Sequence, residues 1–245
     1  MKKIYDKNPL NFALIWIGIY CAVESLGNVI SSKIGIHESA NAVLTAVLVI
    51  FLLFWLHKYD LLKAFGMMKP TQPPTRMLFY LPLVLISTRD LWSGFRMNLT
   101  PVSLCFHILL MIGVGFMEEL IFRGFLFEAM AKDNLKSAIV VSSVTFGLGH
   151  IVNLFNGRGM DLTAVIIQIV IAVVIGFLMV MVYLRSGSII PCMITHAVVN
   201  ISSAFLNKQD TSLQTELLLH GLMFVIIIAY LIILSKTAPI QRKSA

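Results

Sequence analysis

Apolar stretches of about 18 or more residues recur along the whole chain, and no other feature limits its fold as strongly. Only 13% of the 245 residues are charged and 58% are hydrophobic, against about 25% and 45–50% in an average soluble domain. As helices, stretches of this length match the thickness of a bilayer. The sequence therefore predicts an all-α, polytopic, integral membrane protein in which residues 1–245 form a single transmembrane domain.

Apolar runs and helix breakers predict about eight helices. Their expected ranges are 10–30, 40–57, 77–88, 102–131, 137–155, 162–184, 188–206 and 216–235. The second, third and eighth are expected to be short, and Pro82 is expected to bend the third. The first helix follows a basic segment, but it contains Glu24 and lacks a small-x-small cleavage site. This pattern favours a retained helix over a signal peptide.

Basic residues are distributed unevenly between the two ends of the predicted bundle. One end would carry Lys2, Lys3, Lys7, Lys58, Lys63, Lys69, Arg76, Lys132, Lys136, Arg185, Lys236, Arg242 and Lys243. The other would carry only Lys33, Arg89, Arg96, Arg158 and Lys208. By the positive-inside rule, the first end and both termini are expected in the cytoplasm. The net charge of +7 then reflects topology and contact with anionic membrane lipids, and no nucleic-acid partner is expected.

The stretch "MEELIFRGFL", residues 117–126, places three ionisable groups inside an apolar helix. A charged side chain near the bilayer centre costs about 2.5–3.5 kcal/mol on insertion scales. Each of these groups is therefore expected to have a structural partner or a functional role. Glu119 and Arg123 are four residues apart and share a helix face, which predicts an ion pair. Glu118 is turned about 100° away and has no partner on its own helix. It is therefore a candidate functional carboxylate.

Two later helices carry further polar groups within their spans. The fifth contains Phe146 and His150 on one face, and the seventh contains His196 and Asn200 one turn apart. At 1.5 Å per residue, Glu118 and His150 would lie about 20 Å from the cytoplasmic ends of their helices, and His196 about 12 Å. These side chains are expected to meet in one intramembrane cavity open to the cytosol.

The remaining histidines and the cysteines give weaker signals. Because they lie at or near helix ends or lack deep polar companions, four histidines are left outside the predicted site: His37, His57, His107 and His220. The three cysteines fall in apolar segments without C-x-x-C spacing, which indicates neither a disulfide framework nor a thiolate metal site.

A carboxylate, two imidazoles and a carboxamide suit the attack of water on an amide. Glu118 can act as general base, one imidazole can share the water, and the second imidazole with Asn200 can stabilise the oxyanion. Alternatively, Glu118, His150 and His196 could hold zinc, since a His₂Glu set leaves a position for water. The zincin motif H-E-x-x-H is absent. The sequence leaves both readings open, and the leading one assigns no metal and requires no cofactor.

In their order along the chain, three motifs resemble those of the CAAX prenyl endopeptidase and bacteriocin-processing (CPBP, or Abi) intramembrane proteases, which include the type II CAAX prenyl endopeptidases. The motifs are E-E-x-x-x-R, F-x-x-x-H and H-x-x-x-N, here Glu118-Glu119-Arg123, Phe146-His150 and His196-Asn200. The approach "RSGSIIPCMITHAVVN" also resembles the family's entry into the last motif. The resemblance covers residues 105–205, which are the predicted catalytic core.

The resemblance implies a glutamic-type intramembrane endopeptidase. Glu118 and His150 would activate water, and His196 and Asn200 would form the oxyanion site. Three further residues would support the site: Glu119, Arg123 and Phe146. The fold implied is a bundle of about eight spans with a cytoplasm-facing cavity, and the substrate a membrane-associated or prenylated, CAAX-like protein or peptide.

Two other functions remain as alternatives. The first is a non-proteolytic membrane protein, such as an immunity factor or scaffold, that retains the pocket for structural reasons. The second is an ion-coupled transporter, because buried Glu and His also form proton relays. The sequence shows no internal repeat and no pair of broken helices in corresponding halves, which disfavours the transporter.

Overall fold

The computed structural model describes residues 1–154, 162–207 and 212–241. Within these ranges the regular secondary structure is helical, apart from one isolated antiparallel bridge between Phe95 and Leu206. The predicted all-α membrane bundle is therefore confirmed.

Ten α-helices form the bundle within the described ranges. They are α1 (Lys2–Lys7), α2 (Pro9–Ile34), α3 (Ser39–Lys58), α4 (Leu81–Ser87), α5 (Pro101–Glu119), α6 (Glu128–Ala131), α7 (Leu135–Gly149), α8 (Leu162–Ser186), α9 (Ile190–Ser202) and α10 (Leu213–Thr237). A π-helical segment, Leu120–Phe127, joins α5 to α6. Four 3₁₀ segments adjoin other helices: Pro74–Tyr80, Arg89–Leu91, His150–Leu154 and Ser203–Phe205.

All eight predicted apolar segments are present as helices, although they differ in length. Six are long and apolar enough to cross a membrane: Pro9–Ile34, Ser39–Lys58, Pro101–Ala131, Leu135–Leu154, Leu162–Ser186 and Gln214–Thr237. The third and seventh segments are shorter, at Pro74–Ser87 and Ile190–Phe205. The second and eighth were expected to be short, but α3 has 20 residues and α10 has 25. The predicted end of the fifth helix, residue 155, lies outside the described residues.

The third apolar segment is broken rather than smoothly bent. Leu78, Phe79 and Tyr80 have positive φ angles of 49°, 51° and 59°, which end the 3₁₀ segment before α4 begins. Pro82 is the second residue of α4, where a missing N–H removes no helix hydrogen bond. The predicted distortion is therefore a break on the N-terminal side of Pro82.

The long span formed by α5, the π-helical segment and α6 lies at the centre of the bundle. It has the largest buried share of the six candidate spans, 56% of its most apolar window. It packs against α2, α3, α7 and α9. The acidic pair of residues 118 and 119 is therefore placed in the interior of the bundle.

The first and last described residues of the chain lie at the same end of the bundle. The Tyr5 ring of α1 packs on Phe65, at 5.5 Å between ring centroids, in the loop of residues 59–73. The Gln241 backbone N–H donates to the Leu184 carbonyl near the end of α8, at 2.7 Å. We call this the basic end, because the described residues of the predicted cytoplasmic set lie in the helix termini and loops that meet here. Two members of that set, Arg242 and Lys243, lie outside the described residues.

The opposite end is built from the loop before α5 and the segment after α9. Phe95 pairs with Leu206, and the Arg89 guanidinium pairs with the Glu216 carboxylate of α10. Lys33 and Arg96 also belong to this end by their positions in the chain. Arg158 and Lys208, which the sequence assigned here, lie outside the described residues.

Cysteine labelling tests which end faces the cytoplasm. With the native cysteines replaced, Lys69→Cys and Asp133→Cys are expected to react with an impermeant maleimide from the cytoplasmic side only, because they lie at the basic end. Ile36→Cys and Met97→Cys should react only from outside. Labelling of intact cells and of inverted vesicles measures both. The reverse pattern would place the basic end outside.

Candidate active site

The central span changes its winding where the acidic pair occurs. α5 ends at Glu119, and the next eight residues, Leu120–Phe127, form a π-helix whose side chains are all buried. Segments of π-helix are rare and frequently occur at functional sites, because the wider turn redirects the side chains around it. The local geometry thus differs from the regular α-helix assumed from the sequence.

The predicted ion pair between Glu119 and Arg123 is present. Arg123 Nη1 lies 3.1 Å from Glu119 Oε1, and both side chains are fully buried. Arg123 Nη2 donates to the Gly176 carbonyl of α8 at 3.2 Å. The guanidinium carbon lies 4.2 Å from the centre of the Phe146 ring of α7, a cation–π contact. Arg123 therefore ties the central span to two other helices.

His196 connects this ion pair to the second carboxylate. Its Nδ1 lies 2.9 Å from Glu119 Oε1, so Nδ1 donates to an oxygen that already accepts from Arg123. On the other side of the ring, Nε2 lies 3.8 Å from Glu118 Oε2. That distance is too long for a direct hydrogen bond, and a water bonded to both atoms would lie to one side of the line between them.

Glu118 is less buried than Glu119, with 17% of its side chain exposed. Its Oε1 accepts a hydrogen bond from the Tyr20 hydroxyl of α2 at 3.0 Å. Spacing along a single helix could not reveal this partner of Glu118, because Tyr20 is 98 residues away on another helix. The two adjacent glutamates therefore differ in environment: Glu119 is fully buried in an ion pair, and Glu118 is partly exposed beside the His196 imidazole.

His150 and Asn200 line a cavity of about 150 Å³ between α7, α8 and α9. Its other lining residues are Phe146, Gln168, Ile171, Ala172, Ile175, Met179, His196 and Val199. His150 Nδ1 lies 3.2 Å from the Phe146 carbonyl oxygen. Three of the four candidate catalytic side chains thus share one cavity, and the fourth, Glu118, lies behind His196.

The depth estimate from the sequence paired Glu118 with His150, whereas in the structure the nearest imidazole to Glu118 is that of His196. The reason lies in the packing of α5 against α9. A Cβ atom at Gly115 would lie 2.8 Å from the Met193 carbonyl oxygen, so only glycine permits this approach. Helix depth along one axis could not reveal this lateral contact.

A second cavity, of about 90 Å³, adjoins the first and shares Ile171, Ile175 and Val199 with it. Its lining includes Arg89 and His220, which lie at the end opposite to the basic end. The two cavities together thus extend from the candidate site towards the end opposite the basic end, and the opening of the site to the cytosol stays a prediction.

Two histidines that were expected to lie outside the site, His107 and His220, do have polar partners in the structure. His107 Nδ1 lies 2.8 Å from Glu38 Oε2, and its Nε2 lies 3.2 Å from the Asn200 carbonyl oxygen. His220 Nδ1 lies 2.9 Å from Arg89 Nη2. The expectation that these histidines lack such companions was wrong, because their partners come from segments 69 to 131 residues away.

The geometry offers no ready metal site in the part of the chain that the structure describes. No group of three His, Cys, Asp or Glu side chains there is close enough together to hold an ion. Glu118, His150 and His196 as placed do not form the His₂Glu set that a catalytic zinc needs. The three cysteines are free, at Cys21, Cys105 and Cys192.

Neutralising the two glutamates should have unequal effects on stability. Glu119→Gln leaves the fully buried Arg123 without its anion, and breaking such a pair costs about 3–5 kcal/mol. Glu118→Gln keeps the size of a partly exposed side chain and should change stability far less. Thermal unfolding of both variants in detergent measures the difference. Equal destabilisation by the two variants would contradict the distinction.

Comparison with known proteins agrees with the motifs. Residues 100–202 match a family model described as "Type II CAAX prenyl endopeptidase Rce1-like". No curated protein and no solved structure matches the chain significantly. The matched residues contain all three motifs and the four candidate catalytic side chains. The resemblance is thereby confirmed over residues 100–202, where the chain is similar to the type II CAAX prenyl endopeptidases.

Proposed function

We propose that the chain is an intramembrane endopeptidase that hydrolyses a peptide bond in a membrane-associated or prenylated, CAAX-like substrate, with Glu118 activating water. The observation that carries this proposal is the difference in environment between the two adjacent glutamates. Glu119 is fully buried and paired with Arg123, whereas Glu118 is partly exposed and has one oxygen 3.8 Å from His196 Nε2. A carboxylate so placed can act as general base.

In the proposed reaction, a water hydrogen-bonds to both Glu118 Oε2 and His196 Nε2 from one side of the 3.8 Å line that joins them. Glu118 removes a proton as the water oxygen attacks the scissile carbonyl carbon. The C–O bond forms and the carbonyl oxygen becomes an oxyanion. The C–N bond then breaks, and the proton held by Glu118 passes to the leaving amine nitrogen. No metal or cofactor takes part in these steps.

The oxyanion needs hydrogen-bond donors placed where the negative charge develops. The Asn200 side-chain amide lines the cavity and can supply one. The His150 imidazole also lines the cavity, but its Nδ1 already donates to the Phe146 carbonyl, so its Nε2 donates to the oxyanion only when the ring is protonated. The family resemblance pairs His150 with the base and His196 with the oxyanion, whereas the distances favour the reverse assignment of the two imidazoles. In both assignments the same four side chains carry the reaction: Glu118, His150, His196 and Asn200.

The lining of the cavity is largely apolar, which favours an apolar substrate. Five of its lining residues are on α8, and four of these are apolar: Ile171, Ala172, Ile175 and Met179. Ligand pockets commonly measure about 300–1,000 Å³, so a cavity of about 150 Å³ holds only the part of a peptide around the scissile bond. The rest of the substrate, including a prenyl chain, would lie among membrane lipids.

The non-proteolytic alternative also has an observation in its favour. The contacts among Glu119, Arg123 and His196 stabilise the bundle whether or not chemistry occurs. A scaffold or immunity protein would retain them. Such a protein would have no need of Glu118 in its present setting, so the Glu118 variant discriminates between the two functions.

Substitutions in the site should affect cleavage to different degrees. In lipid vesicles with an internally quenched farnesylated CAAX peptide, Glu118→Gln is expected to reduce cleavage to background, because it removes the base. Asn200→Ala removes one oxyanion donor and should slow cleavage by about 10²–10³-fold. Product formation followed by mass spectrometry measures both. Equal activity of the wild type and Glu118→Gln would refute the assignment of the base.

Metal dependence is tested in the same assay. Dialysis against a strong chelator is expected to leave the cleavage rate unchanged, because the proposed steps use protein side chains and water. Bound metal is quantified by mass spectrometry on the same samples. Loss of activity on chelation, with recovery at one zinc per chain, would instead make Glu118, His150 and His196 metal ligands.

A further inference from the structure

A tyrosine outside the matched family region contacts the proposed catalytic base. Tyr20 lies on α2, is 7% exposed, and donates its hydroxyl hydrogen to Glu118 Oε1 at 3.0 Å. We propose that Tyr20 is a positioning residue that fixes the orientation of the Glu118 carboxylate for the attack of water. This inference rests on the function proposed above and adds a component that neither the motifs nor the family match includes.

The two oxygens of Glu118 have different neighbours. Oε1 accepts from Tyr20, and Oε2 faces His196 Nε2 across 3.8 Å. A carboxylate can rotate about its last side-chain bond, and this torsion is broad when nothing restrains it. The tyrosine bond removes that freedom, so Oε2 stays directed at the position where the water would lie.

The position of Tyr20 is set by contacts that do not involve Glu118. One turn earlier on α2, the Trp16 ring lies 6.5 Å from the Phe125 ring of the π-helical segment. Phe12, a further turn away, meets Phe125 edge to face at 5.0 Å. Residues four apart share a helix face, so these aromatic contacts and Tyr20 all face the central span. The hydroxyl is thus presented to Glu118 by a packed aromatic surface.

With Tyr20, the proposed active site extends to α2, beyond the region that carries the motifs. The family match covers residues 100–202, and the predicted catalytic core covers 105–205. If Tyr20 positions the base, α2 completes the site from outside both ranges. Pre-organised geometry of this kind is what a general base needs, because small misplacements reduce the rate strongly.

Kinetics with a matched control test this role. Tyr20→Phe removes only the hydroxyl and should lower kcat by about 10–100-fold, the usual effect of losing a partner that orients a catalytic group, with KM changed less than about twofold. Tyr183→Phe is the control, because Tyr183 is also buried and also donates to a carboxylate, that of Glu128. It should retain wild-type kcat. Equal loss in the two variants, or unchanged kcat in Tyr20→Phe, would overturn the proposal.

A measurement independent of activity separates this inference from the proposed function. Infrared difference spectra between the wild type and Glu118→Gln isolate the carboxylate stretching band of Glu118. The same difference in a Tyr20→Phe background should show that band at a shifted frequency, because the carboxylate has lost a hydrogen bond. An unshifted band overturns the role of Tyr20. If the wild type cleaves no peptide, the proposed protease function fails, and the spectrum still decides whether Tyr20 holds Glu118.

Discussion

The fully buried ion pair of Glu119 and Arg123 is the interaction on which the rest of the site depends. Two charges without solvent are stable only when further hydrogen bonds satisfy them, and here the partners come from other helices. Arg123 donates to the Gly176 carbonyl of α8 and lies over the Phe146 ring of α7. Glu119 also accepts from His196 of α9. One ion pair thereby fixes the relative positions of four helices.

That arrangement accounts for the placement of the reactive groups. Because His196 Nδ1 is held by Glu119, its Nε2 is directed towards Glu118. Two glycines allow the helices around the site to pack closely, which brings these side chains together. A Cβ at Gly115 would meet the Met193 carbonyl oxygen at 2.8 Å, and one at Gly176 would meet the Ser143 carbonyl oxygen at 2.9 Å. The His196 imidazole thus contacts both Glu119 of the buried ion pair and Glu118, the proposed catalytic base.

The site also joins parts of the chain that are distant in sequence. Tyr20 of α2 contacts Glu118, and His107 of α5 contacts the Asn200 carbonyl while paired with Glu38 just before α3. Polar groups in a membrane interior have few alternative partners, because lipid offers no hydrogen bonds. Polar residues of the first helices therefore pair with those of the motifs, and these helices become part of the environment of the motifs.

The sequence by itself determined the helical membrane bundle, the ranges of its apolar segments and the pairing of Glu119 with Arg123, because these follow from hydropathy and from spacing along one helix. It also separated Glu118 from Glu119, since adjacent residues point in different directions. Only the tertiary structure decided that His196 rather than His150 lies nearest Glu118, that Tyr20 bonds to it, and that a π-helix follows Glu119. These features depend on which helices touch and at what height. Lateral packing is set by contacts such as that at Gly115, and no periodicity along a single helix encodes it.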